Sequence, residues 1–227
     1  MTKNTHQHDP EQSVEQALNN TEHFIERYKK PLIYGAIIIL VIISAGFAYQ
    51  HLYRKPLIQE ALAQSFTAEQ HFRADSFALA LNGDGNTLGF KQIIEEYGNK
   101  AGEAIYFYAG VSELQLGNYQ SAIDYLKKYD GDDLVFQARA ICNIGDAYAG
   151  LQNYKEAVNQ YVKAAKHVDN PFAAGYLLKA GIMYEELGET AKALEIYEEI
   201  KVKYPQTIEG YEIDKYIARI KQSVPQQ

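Results

Sequence analysis

The residues able to do chemistry are few and scattered. Histidines occupy His6, His8, His23, His51, His71 and His167, and their spacings lack the pattern of a metal site. Cys142 is the only cysteine, so no internal disulfide can form. A small core residue is its expected role. The run Asn82-Gly83-Asp84-Gly85-Asn86 imitates the start of a calcium loop. An EF-hand needs Gly at its sixth position and an acidic ligand at its twelfth. Thr87 and Ile93 stand there, so an ordinary turn is expected. Asp130-Gly131-Asp132-Asp133 reads as a solvated linker, and Glu185, Glu186 and Glu189 as a solvated helix face rather than general acids. No P-loop or Gly-x-Ser-x-Gly occurs. The expectation is a protein that is not an enzyme, with no catalytic residue, cofactor or metal.

Composition narrows the partners. The chain has 227 residues, 47% of them hydrophobic, enough to bury a core. It has 19 Tyr and no Trp, so tyrosine must supply much of the large packing area. The net charge of −7 is unevenly placed. Residues 1–55 carry six Lys/Arg and five Asp/Glu; the remainder carries 16 and 24, a net of −8. An acidic folded portion argues against nucleic acid, whose phosphates need a basic footprint.

From Leu32 to Tyr53 there is no Asp, Glu, Lys or Arg, and the centre reads Ile37-Ile38-Ile39-Leu40-Val41-Ile42-Ile43. At about 1.5 Å per residue a helix of this length crosses a hydrocarbon layer of about 30 Å. Tyr34, Tyr49 and Tyr53 sit near the ends, where amphipathic rings favour the headgroup layer. Pro31 and Pro56 bracket the run. A surface-packed helix would show a polar stripe, and a cleaved signal peptide would not carry some 30 polar residues ahead of a run this long. A retained transmembrane helix, residues 31–54, is the expectation. Arg27, Lys29 and Lys30 precede it and Arg54 and Lys55 follow, so charge alone does not set the orientation; the first cluster favours a cytoplasmic N-terminus. Residues 1–30 read as a polar cytoplasmic tail. Val14, Leu18, Phe24 and Ile25 could line a short amphipathic helix there, and a solvated tail explains them equally.

The rest of the chain repeats. Gly110, Gly145 and Gly181 are 35 and 36 residues apart, and Ala122, Ala157 and Ala193 repeat the same steps. A period near 34 marks paired helices stacked as a solenoid. Glycine inside a helix costs about 1 kcal/mol relative to Ala, so close helix approach is the expected return. The alanines mark where the second helix meets the first. Tyr119 and Tyr154 follow the turns Leu116-Gly117-Asn118 and Leu151-Gln152-Asn153, and Tyr148, Tyr161, Tyr184 and Tyr197 fill space between helices. Ahead of these, Leu57 to about Ala74 reads as a helix with Ala61, Phe66, Ala68 and Phe72 for packing. Phe77 and Ala80 fit a second helix, and another runs from about Phe90 to Tyr97. Glu209 to Ser223 reads as a closing helix with Tyr216, Ile217 and Ile220 inward.

The pattern Ile141-x-x-Ile144-Gly145-x-x-Tyr148, continued through Tyr154, Ala157, Tyr161 and Ala164, resembles the tetratricopeptide-repeat family. Gly181, Tyr184, Ala193, Tyr197 and Pro205 extend the match. Glu113 departs from it in the place of an aromatic, as do Thr190 and Gln152 at their own positions. The resemblance implies an all-α fold, a right-handed α-solenoid of antiparallel helix pairs. It divides the chain into a degenerate first repeat and linker helix (55–102), repeats at 103–137, 138–173 and 174–206, and a capping helix and tail (207–227). It implies a peptide groove lined by first helices at Phe107, Val111, Arg139, Asn143, Asp146, Lys179, Ile182 and Glu186. Phe107 and Val111 stand where the family's carboxylate clamp has Lys and Asn, so a more apolar ligand is expected. Tail, span and short acidic repeat domain together resemble the ancillary subunits of the bacterial Sec translocon. That resemblance implies an inner-membrane anchor with the repeats in the periplasm. The implied partners are the translocon, periplasmic chaperones or exported clients, and the alternative is a scaffold subunit of another envelope complex.

Overall fold

The computed structural model describes the backbone of residues 10–223 and, apart from Asn99, the side chains of residues 27–222. The expected apolar face of Val14, Leu18, Phe24 and Ile25 lies outside the described side chains. The described residues form helices and no strand, and they divide into two compact units at Pro56–Leu57.

The first unit is helical. Helix α1, Pro10–Ala48, runs on through Pro31, and a π-helical stretch, Tyr49–Arg54, follows it. Pro31 sits inside the helix. Its missing N–H costs one backbone bond, and the helix continues on both sides of it. One helical run among the described residues, Arg27–Arg73, holds a stretch long and apolar enough to cross a bilayer, with none of that stretch buried. Ile37 to Ile43 are each about half exposed or more.

The second unit is a stack of helix pairs. Its elements are α2 (Lys55–Arg73), α3 (Phe77–Asn82), α4 (Phe90–Tyr97), α5 (Ala104–Gln115), α6 (Tyr119–Leu126), α7 (Leu134–Gly150), α8 (Tyr154–His167), α9 (Phe172–Glu186), α10 (Thr190–Lys203) and α11 (Ile208–Ser223). Helix α5 packs on α6, α6 on α7, α7 on α8, and so on to α11. The fold is the helix-pair solenoid of tetratricopeptide repeats.

The glycines explain the pairing. A Cβ at Gly110 would stand 2.6 Å from Leu126 Cγ, and one at Gly145 2.7 Å from Tyr161 Cε1. At Gly181 it would overlap the Tyr197 ring. The sequence step from the glycine to the side chain it admits is the same in all three hairpins. Ala122, Ala157 and Ala193 are fully buried beside these contacts. The core continues from pair to pair. Ala122 and Leu126 of α6 share a cluster with Ala140 and Ile144 of α7, and Tyr161 of α8 joins Ala180 of α9. Helix α11 closes the end with Ile213, Ile217 and Ile220 against Leu177 and Tyr197.

Several local features depart from the repeat pattern or from expectation for physical reasons. Glu113, in the place of an aromatic, is 1% exposed. It is held by Lys91 Nζ of α4 at 2.8 Å and by Asn118 Nδ2 at 2.7 Å. A buried carboxylate needs such partners, and Lys91 ties α4 to the first hairpin. Phe66 points outward, because α2 turns Ala61, Ser65 and Ala68 inward and the next stripe, with Leu62, faces solvent. Asp133 is no idle linker: its Oδ1 accepts from Val135 N at 2.8 Å and Phe136 N at 3.0 Å and caps α7. The Asn82–Asn86 loop is a turn closed on Asp84, whose Oδ1 accepts from Thr87 N at 2.7 Å and Asn86 N at 2.9 Å.

The turn between α7 and α8 carries strain that the others avoid. Gly117 and Gly188 adopt φ of +78° and +73°, and Gln152 is held at +57° in the matching turn. Side chains disfavour that region by about 1–2 kcal/mol. Gln152→Gly should therefore raise the stability of the chain by up to about 1 kcal/mol. Gly181→Ala should lower it by about 1–3 kcal/mol, because the buried Tyr197 ring cannot retreat. Urea unfolding of the full chain in detergent, followed by circular dichroism, reads both changes; a neutral Gly181→Ala would contradict the close approach.

Candidate functional site

The first helices α7 and α9, with the start of α11, enclose a groove of about 1010 Å³. Val135, Arg139, Cys142 and Asn143 come from α7, while Phe172, Tyr176, Lys179 and Ile182 come from α9. Gln206, Thr207, Ile208 and Glu209 form the far wall. These residues point one way because first-helix positions recur at 3–4 residue steps, leaving Ala138, Ala173 and Ala180 to face the core. The apolar rim at Phe172 and Ile208 is open to solvent.

The groove has an electrostatic hub. Lys179 Nζ lies 2.7 Å and 2.8 Å from the two carboxylate oxygens of Asp146. Tyr161 OH donates to Asp146 Oδ1 at 2.7 Å. Burial opposes the charge on Lys179, but the neighbouring Asp146 carboxylate helps to hold the ammonium above its ordinary pKa. Burial first, then the Asp146 carboxylate, pushes the Tyr161 phenol up. The same two causes push the Cys142 thiol up to about 12. At neutral pH Lys179 is thus charged and Cys142 protonated. The cluster fixes a cation at the groove and presents no nucleophile. A parallel hub joins the last pair to the cap: Tyr197 OH donates to Glu185 Oε1, which Arg219 also meets at 2.6 Å. Among the described residues no cluster of His, Cys, Asp and Glu is placed to hold a metal ion.

Of the eight residues expected to line a groove, Arg139, Asn143, Lys179 and Ile182 do so together. Asp146 stands behind them as the partner of Lys179. Glu186 is exposed outside the lining. Phe107 and Val111 lie outside this lining. Phe107 is 4% exposed, with its ring 5.5 Å from Phe136 and 5.7 Å from Tyr129, and Val111 packs in the same cluster. Helix α7 brings Phe136 over this part of α5, and both residues pack in the cluster formed there. The groove takes its apolar character from Phe172, Tyr176 and Ile182 instead. The wall from Gln206 to Glu209 is not legible in the repeat motif. Its one signal is that Glu209 follows Gly175 by a single repeat period.

Comparison with known proteins agrees with this architecture. Residues 142–207 match the tetratricopeptide repeat family model. The chain is also similar to the 43 kDa receptor-associated protein of the synapse from Gallus gallus, 30% identical over 103 residues that cover 40% of this chain and 25% of that protein. The chain thus spans about a quarter of that relative's length. Repeat stacks of this type present extended surfaces suited to contacts with other proteins.

Two outcomes follow from the hub. Asp146→Ala strands a buried hydroxyl and should cost about 1–3 kcal/mol, whereas Lys179→Ala removes a partly exposed partner and should cost less than about 1 kcal/mol. Denaturant titration of both variants decides; equal costs would contradict the hub. Cys142 of the folded chain should resist Ellman's reagent at pH 8 and react once unfolded. Its folded pKa, about 12, lies above the ordinary 9.0, so its contribution to stability is complete below pH 9 and is lost as pH rises from 9 to 12. Rapid labelling of the native chain would contradict the burial.

Proposed function

We propose that this protein is an adaptor anchored in the bacterial inner membrane, with a cytoplasmic N-terminus and periplasmic repeats. In this reading the groove between α7, α9 and α11 holds segments of other proteins during export or envelope biogenesis. The observation that carries it is the pairing, in one chain, of an open interaction groove with a helical run whose apolar surface is uncovered by protein. An isoleucine-rich helix exposed on all sides needs lipid around it, since contact with water costs about 25 cal/mol for each Å². Tyrosines and basic residues at both ends suit the two headgroup layers. Tethering confines the groove to the membrane surface and raises its effective concentration toward chains emerging there. The resemblance of the whole layout to ancillary Sec translocon subunits supports export as the setting, with the translocon, chaperones or exported clients as partners.

The test combines location with capture. The chain should stay with membranes in alkaline carbonate, and protease added to the periplasmic side should reach residues 57–227. A photo-crosslinker at Ile182, in the groove, should trap translocon components or exported proteins. One at Val202, which is exposed and outside the groove lining, should trap few. Release by carbonate would overturn the anchor, and equal yields from the two positions would overturn the groove.

A further inference from the structure

Corresponding residues of the three helices around the groove carry opposite charges at its two sides. Arg139 of α7, Gly175 of α9 and Glu209 of α11 follow one another at close to the repeat period. Glu209 leans over α9: its Oε1 is 3.2 Å from where a Cβ on Gly175 would stand. Arg139 rests its guanidinium 5.7 Å from the Phe136 ring centroid on the opposite side. Neither Arg139 nor Glu209 forms an ion pair among the described residues, unlike Lys179 and Asp146. The space between holds Phe172, Tyr176 and Ile182.

We propose that the groove selects an extended, dipolar segment of a partner protein, with an acidic residue over Arg139, apolar residues along α9 and a basic residue at Glu209. This inference rests on the groove being the partner site proposed above. The charge pattern decides the class of ligand. A purely apolar segment would cover both charges without pairing either, which costs more than the apolar contact returns. A segment with acidic groups alone would satisfy Arg139 and be repelled by Glu209, and a basic one the reverse. Opposite charges at the two ends of the ligand satisfy both sides. Neighbouring packed helices lie about 8–10 Å apart, so one to two steps give about 10–20 Å between the charges. An extended chain rises about 3.3 Å per residue, so that span is roughly three to six steps and leaves roughly two to five residues between the acidic and the basic one.

The probe is an array of synthetic peptides with about two to five intervening residues, alternately apolar and polar, whose end residues are each Glu, Gln or Lys. The full chain in detergent is the analyte. Peptides with one Glu and one Lys end should be retained about three- to tenfold better than those with two like-charged ends, the range for partly exposed pairs. Arg139→Gln should erase the preference for Glu and keep that for Lys; Glu209→Gln should do the opposite. Arg139→Lys should keep the wild-type order, which separates loss of charge from loss of fold. Retention that ignores the end charges would overturn the dipolar selection and leave the groove as a partner site. Retention of no peptide by the wild-type chain would overturn both.

Discussion

Everything in the folded unit depends on how closely the two helices of each hairpin approach. A glycine on the first helix removes the one atom that would keep the second at a distance, and Leu126, Tyr161 or Tyr197 fills the space. Because the contact recurs in three successive hairpins, these have nearly the same shape, and like shapes stack. The stack, in turn, sets first helices side by side. The groove is what those first helices leave open where α11 stands beside α9.

Polar ties then fix the stack at defined points. Glu113 is anchored to Lys91, Asp146 to Lys179, and Glu185 to Arg219. Each joins one hairpin to the next or to its flanking helix, so each spans a boundary that apolar packing alone leaves free to slide. Two of the three carry a buried tyrosine hydroxyl as well. That arrangement satisfies the phenols of Tyr161 and Tyr197, whose rings are needed at the glycines. The same residues therefore serve packing, polar satisfaction and, through Lys179, the charge of the groove.

The periodic part of this architecture was legible in the sequence because period is geometry. Gly110, Gly145 and Gly181, the three alanines and the capping isoleucines could be placed from spacing alone. The surroundings of Phe107 and Val111 could not. The two residues occupy groove positions by register, yet Phe136, which α7 brings across from the next pair, covers the phenylalanine, and no local pattern announces a neighbour so far along the chain. Glu113 was visible only as a departure; its partner Lys91 belongs to a helix outside the regular repeats. Glu209 was hidden for a related reason, since it belongs to the cap, where the repeat signature has faded and only its step from Gly175 remains.

The most direct measurement is the distance between the paired helices in solution. In the full chain reconstituted in nanodiscs, with glycine and tyrosine selectively labelled, nuclear Overhauser cross-peaks should join the α-protons of Gly145 to the Tyr161 ring and those of Gly181 to the Tyr197 ring. Gly110 should instead show cross-peaks to the Leu126 methyls. Glycine α-protons without these cross-peaks, in a chain that is still helical, would contradict the close approach and with it the stack and the groove built on it.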